Sequence, residues 1–269
     1  MPHALITGTS SGFGLLTAER LTDLGWTVTG AMRNPARAKD ETRWETVEID
    51  LTQDDSIEAV AAHVGERYGR LDALVSNAGF GVLGPWEEVA AHELRHQLEV
   101  NLVGTIMLCR ACLPWLRVAG GAIVQVSSVA GQSGDELFGP YNASKFGLEG
   151  ATEALRLEVE PQGIRCVIVE PGPFRTTIVE SSPRIAARGS SGRYQKEWQE
   201  LDEWVHWLAT ESPEAGEAVD AIVAAVIDPA APFRIPVGED AAEGVREHAE
   251  GVIADVARSE EFLRSHGTK

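Results

Sequence analysis

The sequence predicts an α/β protein with a doubly wound, seven-stranded, mainly parallel sheet flanked by helices, in a single domain. Short β-branched or apolar runs alternate with longer amphipathic patterns, as successive βαβ units do. A glycine-rich turn follows the first of these runs directly. At 269 residues the chain suits one large domain, and no linker, repeat or low-complexity tract divides it. We therefore predict a main domain over 1–238 and a helical extension of the same domain over 239–269.

Hydrophobic periodicity gives the elements in order. Strands are predicted at 3–7, 27–32, 45–50, 71–77, 122–128, 165–171 and 233–237, and helices at 13–24, 53–68, 92–118, 141–160, 214–227 and 240–264. The alternation is interrupted at about 174–212, which is polar at first and then rich in aromatic residues. An insertion of this length in a compact domain is usually a lid or a binding loop.

Composition excludes several classes of partner and compartment. The chain has 41 acidic and 23 basic residues, and the net charge of −18 opposes binding to nucleic acid or to anionic membranes. No secretory leader pattern opens the sequence, and no uninterrupted apolar run approaches the roughly 20 residues of a membrane span. We expect a cytoplasmic protein.

The cysteines favour a reducing compartment. Cys109, Cys112 and Cys166 are too few and too unevenly spaced for a disulfide framework. The first two form a C-x-x-C pattern inside a long helical segment, where positions i and i+3 share a buried face. A structural role is the simpler interpretation. The seven histidines also predict no metal site, and His92 and His96, spaced i, i+4, are interpreted as surface helix residues.

The glycine-rich turn predicts a phosphate-binding loop. In "TGTSSGFG", Gly8, Gly12 and Gly14 lie between the first strand and the first helix, where backbone amides and the helix N-terminus can meet a pyrophosphate. The spacing is G-x-x-x-G-x-G rather than the commoner G-x-G-x-x-G. Taken alone, such a turn is weak evidence, but its place in a βαβ run strengthens the prediction.

The end of the second strand favours NADP over NAD. A carboxylate there usually binds the ribose 2′-OH of NAD, whereas an arginine can accept a 2′-phosphate. In "GAMRNPAR" no acidic residue stands at this end, and Arg33 does, with Arg37 and Lys39 close behind. Arginine suits bidentate phosphate binding. The alternative is a solvated arginine in a loop.

The stretch "YNASK" sets a tyrosine and a lysine on one helical face. Four residues apart, the Lys145 ammonium can lie near the Tyr141 phenol. A free tyrosine has a pKa of about 10, and a neighbouring cation is expected to lower it. Ser128, thirteen residues upstream, can donate a hydrogen bond to a substrate oxygen whose charge changes during reaction. The pair is therefore predicted to be a proton-transfer device.

Together these motifs resemble those of the short-chain dehydrogenase/reductase family. "TGTSSGFG", "NAG" at 77–79, Asn101 in "LEVNLVGT", "IVQVSSVAG", "YNASK" and "EPGPFRTT" occur in the family's order and spacing over residues 3 to 237. The resemblance implies a Rossmann-type catalytic domain in which Tyr141 is the acid/base, Lys145 its helper and Ser128 the group that holds the substrate oxygen. It also implies that Asn101 supports a water-mediated proton relay, and that the protein is a homo-oligomer, a dimer or tetramer.

The resemblance also implies the residues that bind the coenzyme. Asp50 with Leu51 is similar to the family's adenine contact. Pro171, Gly172 and Thr176 resemble its nicotinamide-side loop, in which the threonine meets the carboxamide or the pyrophosphate. The full expected set is Gly8, Ser10, Ser11, Gly12, Phe13, Gly14, Arg33, Asp50, Leu51, Asn77, Ala78, Gly79, Tyr141, Lys145, Pro171, Gly172 and Thr176.

Substrate specificity is predicted to depend on the 174–212 segment. One interpretation is that its aromatic and apolar residues form a helical stripe that packs on the domain, and the other is an aromatic wall over an apolar substrate. The residues concerned are Phe174, Tyr194, Trp198, Leu201, Trp204, Val205, Trp207 and Leu208, with Phe80, Val82, Gln132 and Phe138 as further pocket candidates.

The expected activity is NADP(H)-dependent interconversion of a ketone or aldehyde with an alcohol by hydride transfer. NADP(H) is expected to be preferred to NAD(H), and the partner to be a small carbonyl or alcohol substrate. Two alternatives stay open: an epimerase or dehydratase that uses the same tyrosine, and a regulator that senses NADP without turnover.

Overall fold

The computed structural model describes residues 1–38, 42–176, 178, 182 and 187–267, and its centre is a seven-stranded sheet. The strands are β1 (His3–Thr7), β2 (Thr27–Met32), β3 (Glu45–Glu48), β4 (Ala73–Ser76), β5 (Ala122–Val126), β6 (Arg165–Pro171) and β7 (Arg234–Val237). Their order is β3-β2-β1-β4-β5-β6-β7, and every neighbouring pair is parallel. The predicted doubly wound α/β fold is confirmed, and the described sheet is wholly parallel.

Helices cover both faces of this sheet. Among the described residues they are α1 (Gly12–Asp23), α2 (Asp54–Tyr68), α3 (Ala91–Leu98), α4 (Thr105–Ala119), α5 (Gly139–Val159), α6 (Gln195–Thr210), α7 (Gly216–Ile227) and α8 (Ala241–Ser265). Thus each predicted helix is present, with ends shifted by a few residues. The 174–212 segment also contains a helix, α6.

The predicted helix over 92–118 is interrupted by a π-helical turn, Glu99–Gly104, between α3 and α4. At the end of this turn Gly104 lies directly on the backbone after β3, since a Cβ there would stand 1.9 Å from the Leu51 oxygen. Turns of this type are frequent at functional sites.

The helical stretch 91–119 is also long and apolar enough, by length and composition alone, to cross a membrane.

The core is divided between the two faces because successive strand residues point to opposite sides. In β1, Ala4 and Ile6 pack with α1 and α7, whereas Leu5 packs with α2 and α4. Cys109 and Cys112 on α4 are fully buried in the second cluster. Burial raises the pKa of the Cys109 thiol to about 11, which supports the structural role predicted for C-x-x-C.

The carboxyl ends of β1 and β4 are tied together. The Thr7 hydroxyl accepts hydrogen bonds from the backbone amides of Asn77 and Ala78, each at 3.0 Å, and the Asn77 side chain donates to the Thr7 carbonyl at 2.9 Å. On either side of this point the chain winds in opposite directions, and in open α/β sheets ligands bind at such a crevice.

Helix α8 projects from the domain. Ala241 is its one buried residue, and Val252, Ile253, Val256 and Phe262 are between 49% and 69% exposed. The apolar residues of the extension therefore do not cover the core of their own chain.

Candidate active site

A cleft of about 1040 Å³ opens at the carboxyl edge of the sheet. It is lined by nearly all of the residues that the sequence singled out: Gly8, Ser10, Ser11, Gly12, Phe13, Arg33, Asp50, Leu51, Asn77, Ala78, Gly79, Ser128, Tyr141, Lys145, Pro171, Gly172 and Thr176. Gly14 and Asn101 are outside this lining. The structure therefore brings the predicted coenzyme and catalytic residues to one place.

The glycine turn forms one wall of the cleft. Two of its glycines lie so close to neighbouring atoms that a side chain could not fit. Gly8 has φ +75°, and a Cβ on it would stand 2.8 Å from the Asn77 side-chain nitrogen. A Cβ on Gly14 would stand 2.5 Å from the Gly8 carbonyl oxygen, so this glycine sets the distance between α1 and the turn. Helix α1 begins at Gly12 with no acidic residue in its first turn. Its N-terminal amides thus form a cradle suited to a phosphate.

Arg33 and Asp50 lie at one end of the same cleft. Arg33 is exposed at the end of β2. The Thr52 backbone amide and hydroxyl donate to Asp50 Oδ1 at 2.9 and 2.8 Å, and together with the Arg33 charge they hold the pKa of Asp50 below its usual value. Asp50 is therefore ionised and fixed at neutral pH. The Arg37 side chain and Lys39 lie outside the described part of the chain.

His96 is a cleft residue that the sequence interpretation missed. It lines the cleft from α3, and its ring centroid lies 5.1 Å from that of Phe80. Its spacing from His92 indicated only a surface helix, and no local signal shows which side of that helix faces a ligand. Other lining residues absent from the sequence-based sets include Met32, Asn34, Thr52, Leu83, Val100, Asp135, Ile178 and Ser182.

The candidate catalytic group lies at the start of α5 and the end of β5. Lys145 Nζ is 5.7 Å from the centroid of the Tyr141 ring, and it donates to the Val126 carbonyl at 2.9 Å. The Ser128 hydroxyl donates to the Pro171 carbonyl at 3.3 Å and accepts from the Ala130 amide at 3.2 Å. These hydrogen bonds fix the Ser128 hydroxyl and the Lys145 ammonium, and the Tyr141 ring lies beside the ammonium on the same wall of the cleft.

Burial is the largest influence on the pKa values of both Tyr141 and Lys145. It raises the pKa of Tyr141 to about 12, against a smaller lowering by the Ser128 hydroxyl. Burial also lowers the pKa of Lys145 to about 8, while the Glu149 carboxylate acts in the opposite direction. The expectation that Lys145 lowers the pKa of Tyr141 is not met in the protein alone, because the cost of desolvating the phenolate is larger. Tyr141 thus carries its proton at neutral pH.

Asn101 lies in the π-helical turn and connects two elements of the site. Its side-chain amide donates to the Phe80 carbonyl at 2.9 Å and to the Ser144 hydroxyl at 3.2 Å, and its oxygen accepts from the Phe80 amide at 3.1 Å. Ser144 is the residue before Lys145. Asn101 therefore holds the loop after β4 against α5, and the water relay implied by the family resemblance stays a prediction.

The 174–212 segment, predicted as a lid and called the lid below, has described residues that pack on the domain and others that line the cleft. On α6, Trp198 and Leu201 are buried, whereas Trp204 and Leu208 line the cleft, and the Trp204 ring meets the Phe138 ring edge-on at 5.1 Å. Phe80, Phe138 and Phe174 also line it. The candidates Val82 and Gln132 do not: Val82 is buried beside the lid, and Gln132 donates to Glu170 at 3.0 Å.

A buried carboxylate fastens this lid to the domain. Glu88, in a 3-10 turn (Trp86–Glu88), accepts from the Gly189 amide at 2.7 Å, the Ser191 amide at 3.1 Å, the Ser191 hydroxyl at 2.6 Å and the Trp198 indole at 2.9 Å. These donors, the Ser191 hydroxyl first, lower the pKa of Glu88 to about 2. We use the name lid anchor for Glu88 with these three partners.

No group of three His, Cys, Asp or Glu side chains within the described ranges is arranged to hold a metal ion. The polar side chains described on the candidate catalytic wall are the Ser128 hydroxyl, the Tyr141 phenol and the Lys145 ammonium.

Comparison with known proteins identifies the family to which these features correspond. A family model described as short chain dehydrogenase matches residues 2–185. A crystal structure of a short-chain dehydrogenase from Streptomyces avermitilis superposes with a TM-score of 0.87 at 34% identity, covering 98% of each chain. A 3-ketodihydrosphingosine reductase from Bacteroides thetaiotaomicron is 38% identical over 178 residues, which are 66% of this chain and 65% of that protein.

Solved structures with this fold contain either nicotinamide coenzyme. A short chain dehydrogenase from Burkholderia cenocepacia in complex with NADP is 26% identical, with a TM-score of 0.74 over 97% of each chain. A Burkholderia phymatum protein in complex with NAD shares the fold, with a TM-score of 0.82 at 24% identity over 94% of this chain and 95% of that one.

Proposed function

The chain belongs to the short-chain dehydrogenase family of oxidoreductases, and on that premise we propose that it is an NADP(H)-dependent enzyme that reduces a ketone or aldehyde to an alcohol. The observation that carries the proposal is the position of Tyr141, still protonated at neutral pH, beside Ser128 and Lys145 on one wall of the cleft. The glycine cradle forms another wall of the same cleft. A proton donor and a dinucleotide cradle are the two parts that a carbonyl reductase requires.

The residues present fit a nicotinamide dinucleotide. The positions where a Cβ on Gly8 or Gly14 would collide make room for backbone to approach a pyrophosphate, and the N-terminus of α1 supplies amide donors. Asp50 and Arg33 would bind the adenosine end, and Pro171, Gly172 and Thr176 the nicotinamide end. When bound, the reduced coenzyme supplies the hydride to the carbonyl carbon.

Three side chains would manage the oxygen of the substrate. Ser128 donates a hydrogen bond that positions the carbonyl and meets the charge that develops on its oxygen. Tyr141 then gives its proton to that oxygen, which completes the alcohol. Lys145, close to the phenol ring, stabilises the phenolate that this transfer leaves. The raised pKa of Tyr141 keeps the phenol at neutral pH in the protonated form that reduction requires.

A preference for NADP(H) is the part of the proposal that depends on Arg33. Its guanidinium is exposed at the end of β2, lines the cleft and is close enough to influence the ionisation of Asp50. An arginine at this position can pair with a 2′-phosphate, which NAD lacks.

We further propose a substrate with a sizeable apolar part. Phe80, Phe138, Trp204 and Leu208 line the cleft and give it a largely apolar wall. The likeness to a reductase named for 3-ketodihydrosphingosine agrees with such a substrate. A ketone series of increasing alkyl length tests this point, with kcat/KM expected to rise with length.

The first experiment is a titration of the protein with NADPH and with NADH, followed by a panel of ketones and aldehydes scored by loss of nicotinamide absorbance. Binding of NADPH with turnover of some carbonyl compounds supports the proposal. Binding without any turnover would favour the sensing regulator, and absence of binding to either coenzyme would overturn the assignment of the glycine cradle.

Tyr141→Phe removes the proton donor and leaves the ring in place. We expect kcat to fall at least about 1000-fold while the affinity for NADPH changes less than about threefold, because the phenol acts on the substrate oxygen. Tyr68→Phe, at the distant end of α2, is the matched control and should retain activity. Equal loss of activity and coenzyme binding in Tyr141→Phe would contradict the role.

Arg33→Asp replaces the proposed phosphate ligand with a ribose ligand. We expect the ratio of kcat/KM for NADPH to that for NADH to fall by at least about 100-fold, since a charge-assisted contact is lost and a repulsion gained. Arg43→Asp, whose arginine pairs with Asp23 on the surface, is the control. An unchanged ratio would remove Arg33 from this role.

A further inference from the structure

Behind the candidate catalytic wall lies a second polar cluster that the proposed mechanism does not use. Glu149 is on α5, one helical turn beyond Lys145, and Glu170 is on β6, directly before Pro171. Their side chains are 5% and 0% exposed, and Arg234 on β7 stands between them, 33% exposed. Two acidic side chains buried at this depth need partners.

The partners present do not satisfy both carboxylates. Arg234 Nε is 3.2 Å from Glu149 Oε2 and 3.4 Å from Glu170 Oε1, and the Gln132 amide donates to Glu170 Oε1 at 3.0 Å. The other two oxygens, Glu149 Oε1 and Glu170 Oε2, are buried and lack a hydrogen-bond partner within the described chain. Arg234 also pairs with Glu153 at 3.1 Å, so its single charge is divided among three carboxyl groups.

A proton shared by the two buried groups would supply the missing donor. Two neighbouring carboxylates repel each other, so one of them keeps its proton well above the usual pKa. Burial first, and then the Glu149 charge, raise the pKa of Glu170 to about 7. Burial also raises the pKa of Glu149, against lowering by the nearby Ser127 hydroxyl, Arg234 and Lys145. These are the charged and polar groups that face the pair from α5, β6, β7 and the segment after β5.

We propose that Glu149 and Glu170 form a buried carboxyl pair that holds one proton between them, and that the charge left on Glu149 keeps Lys145 in its ammonium form. Glu149 is thereby a positioning residue of the reaction: it acts on the substrate through Lys145 and Tyr141. This inference rests on the proposed function, since its kinetic consequence requires Tyr141 and Lys145 to perform the proton transfer.

The environment of Lys145 makes this charge important. Lys145 is 6% exposed as a residue, and the hydrogen bond of its ammonium to the Val126 carbonyl is to a neutral group. Burial alone opposes protonation of Lys145, and the Glu149 carboxylate is the counter-charge that favours it. Loss of the ammonium would remove the cation that stabilises the Tyr141 phenolate.

Two chemically identical substitutions should therefore shift the pH profile in opposite directions. In the alcohol oxidation direction Tyr141 must be deprotonated, so kcat/KM falls on the acid side. Glu149→Gln removes the counter-charge of Lys145. We expect the pH at which kcat/KM begins to fall on the acid side to rise by about one unit, so that kcat/KM at lower pH is roughly tenfold smaller than in the wild type. Glu170→Gln offers an amide N–H to Glu149 and keeps the Glu149 carboxylate negatively charged. The acid-side fall of kcat/KM should therefore move to lower pH.

Glu153→Gln is the matched control. Glu153 contacts the same arginine from the same helix but is 60% exposed, and its removal should leave the pH profile unchanged. Should Glu149→Gln fail to fold, Glu149→Asp, which draws the charge away from Lys145, replaces it with the same expected direction. Shifts of the Glu149 and Glu170 variants in the same direction, or no shift in either, would overturn the proposal.

An infrared measurement tests the shared proton without turnover. At pH 6 the wild-type protein should show the C=O stretch of a protonated, buried carboxyl group, and Glu170→Gln should lose it. A protein that shows this band but reduces no carbonyl compound would sink the proposed function and leave the carboxyl pair intact. An active enzyme without the band would support the proposed function and overturn the shared proton of the carboxyl pair.

Discussion

Glu88 and Glu170 are both buried glutamates, at 2% and 0% exposure, yet the structure drives their ionisation in opposite directions. The pKa of Glu88 falls to about 2, because its two oxygens accept four hydrogen bonds from N–H and O–H donors. The pKa of Glu170 rises to about 7, because burial and a neighbouring carboxyl outweigh one amide and a shared guanidinium.

The comparison shows that burial does not by itself determine the charge of a carboxyl group in this fold. The number of hydrogen-bond donors and the charge of the neighbouring groups decide whether the carboxyl is ionised. At the lid anchor the donors come mainly from backbone amides and neutral side chains, so a full negative charge is held without a cation. In the carboxyl pair a cation is present but shared, and a proton is the better partner. Glu88 keeps a negative charge that holds the lid by hydrogen bonds, whereas Glu170 can gain or lose its proton near pH 7.

The sharpest test of this contrast is Glu88→Gln. The amide retains one oxygen and presents its N–H groups to donors, so at least one buried donor of the lid loses its partner. We expect Tm to fall by about 5 °C or more. We also expect KM for the carbonyl substrate to rise about tenfold, since α6 lines the cleft, with little change in NADPH affinity. A Tm and KM equal to those of the wild type would contradict the anchor role.

Glu170→Gln is the counterpart, and its effect should depend on pH. The native pKa of Glu170 is raised above its value of 4.5 in the unfolded chain, so the native state holds the proton more tightly between pH 4.5 and about 7. The stability from this group is complete below pH 4.5 and is lost as pH rises through 7. The Tm advantage of wild type over Glu170→Gln should therefore shrink by a few °C between pH 5 and pH 8. A constant difference would contradict a titration of Glu170 near pH 7 in the folded protein.

The smallest effect is expected for Trp198→Phe, which removes one of the four donors to Glu88. The Gly189 amide still binds the same carboxylate oxygen at 2.7 Å, and the ring remains in the apolar cluster. We expect Tm to fall by roughly 2 to 4 °C, the cost of one charge-assisted hydrogen bond. A loss as large as that of Glu88→Gln would show that packing of the indole, rather than the number of donors, holds the lid.

Local sequence signals predicted the parts of this molecule that are built from neighbouring residues. The glycine turn, the Tyr141–Lys145 spacing and the apolar runs of the strands are all short-range patterns, and each prediction was confirmed as structure. The lid anchor could not be found this way, because Glu88 and its partners are separated by more than 100 positions. The carboxyl pair likewise joins a helix and a strand, and the arginine between the two carboxylates comes from a second strand.

Burial was the second quantity that the sequence could not supply. The predicted lowering of the Tyr141 pKa considered the adjacent lysine but not the desolvation of the phenol, which depends on the whole fold. The π-helical turn at Glu99–Gly104 was also missed, since its residues continue an ordinary helical pattern. Sequence reasoning identified the chemical groups of the site, and the tertiary environment determined their charge.

The wholly parallel sheet has a consequence for how the chain reaches this structure. Parallel neighbours cannot be joined by a tight hairpin, and the central pairing brings Ala4 against Ala73. None of the described strands can therefore find its partner through a local turn, and long loops must close before any sheet contact is gained. We expect slow refolding from denaturant, with apolar strands exposed to aggregation meanwhile, so that recovery of the enzyme improves as the chain is diluted.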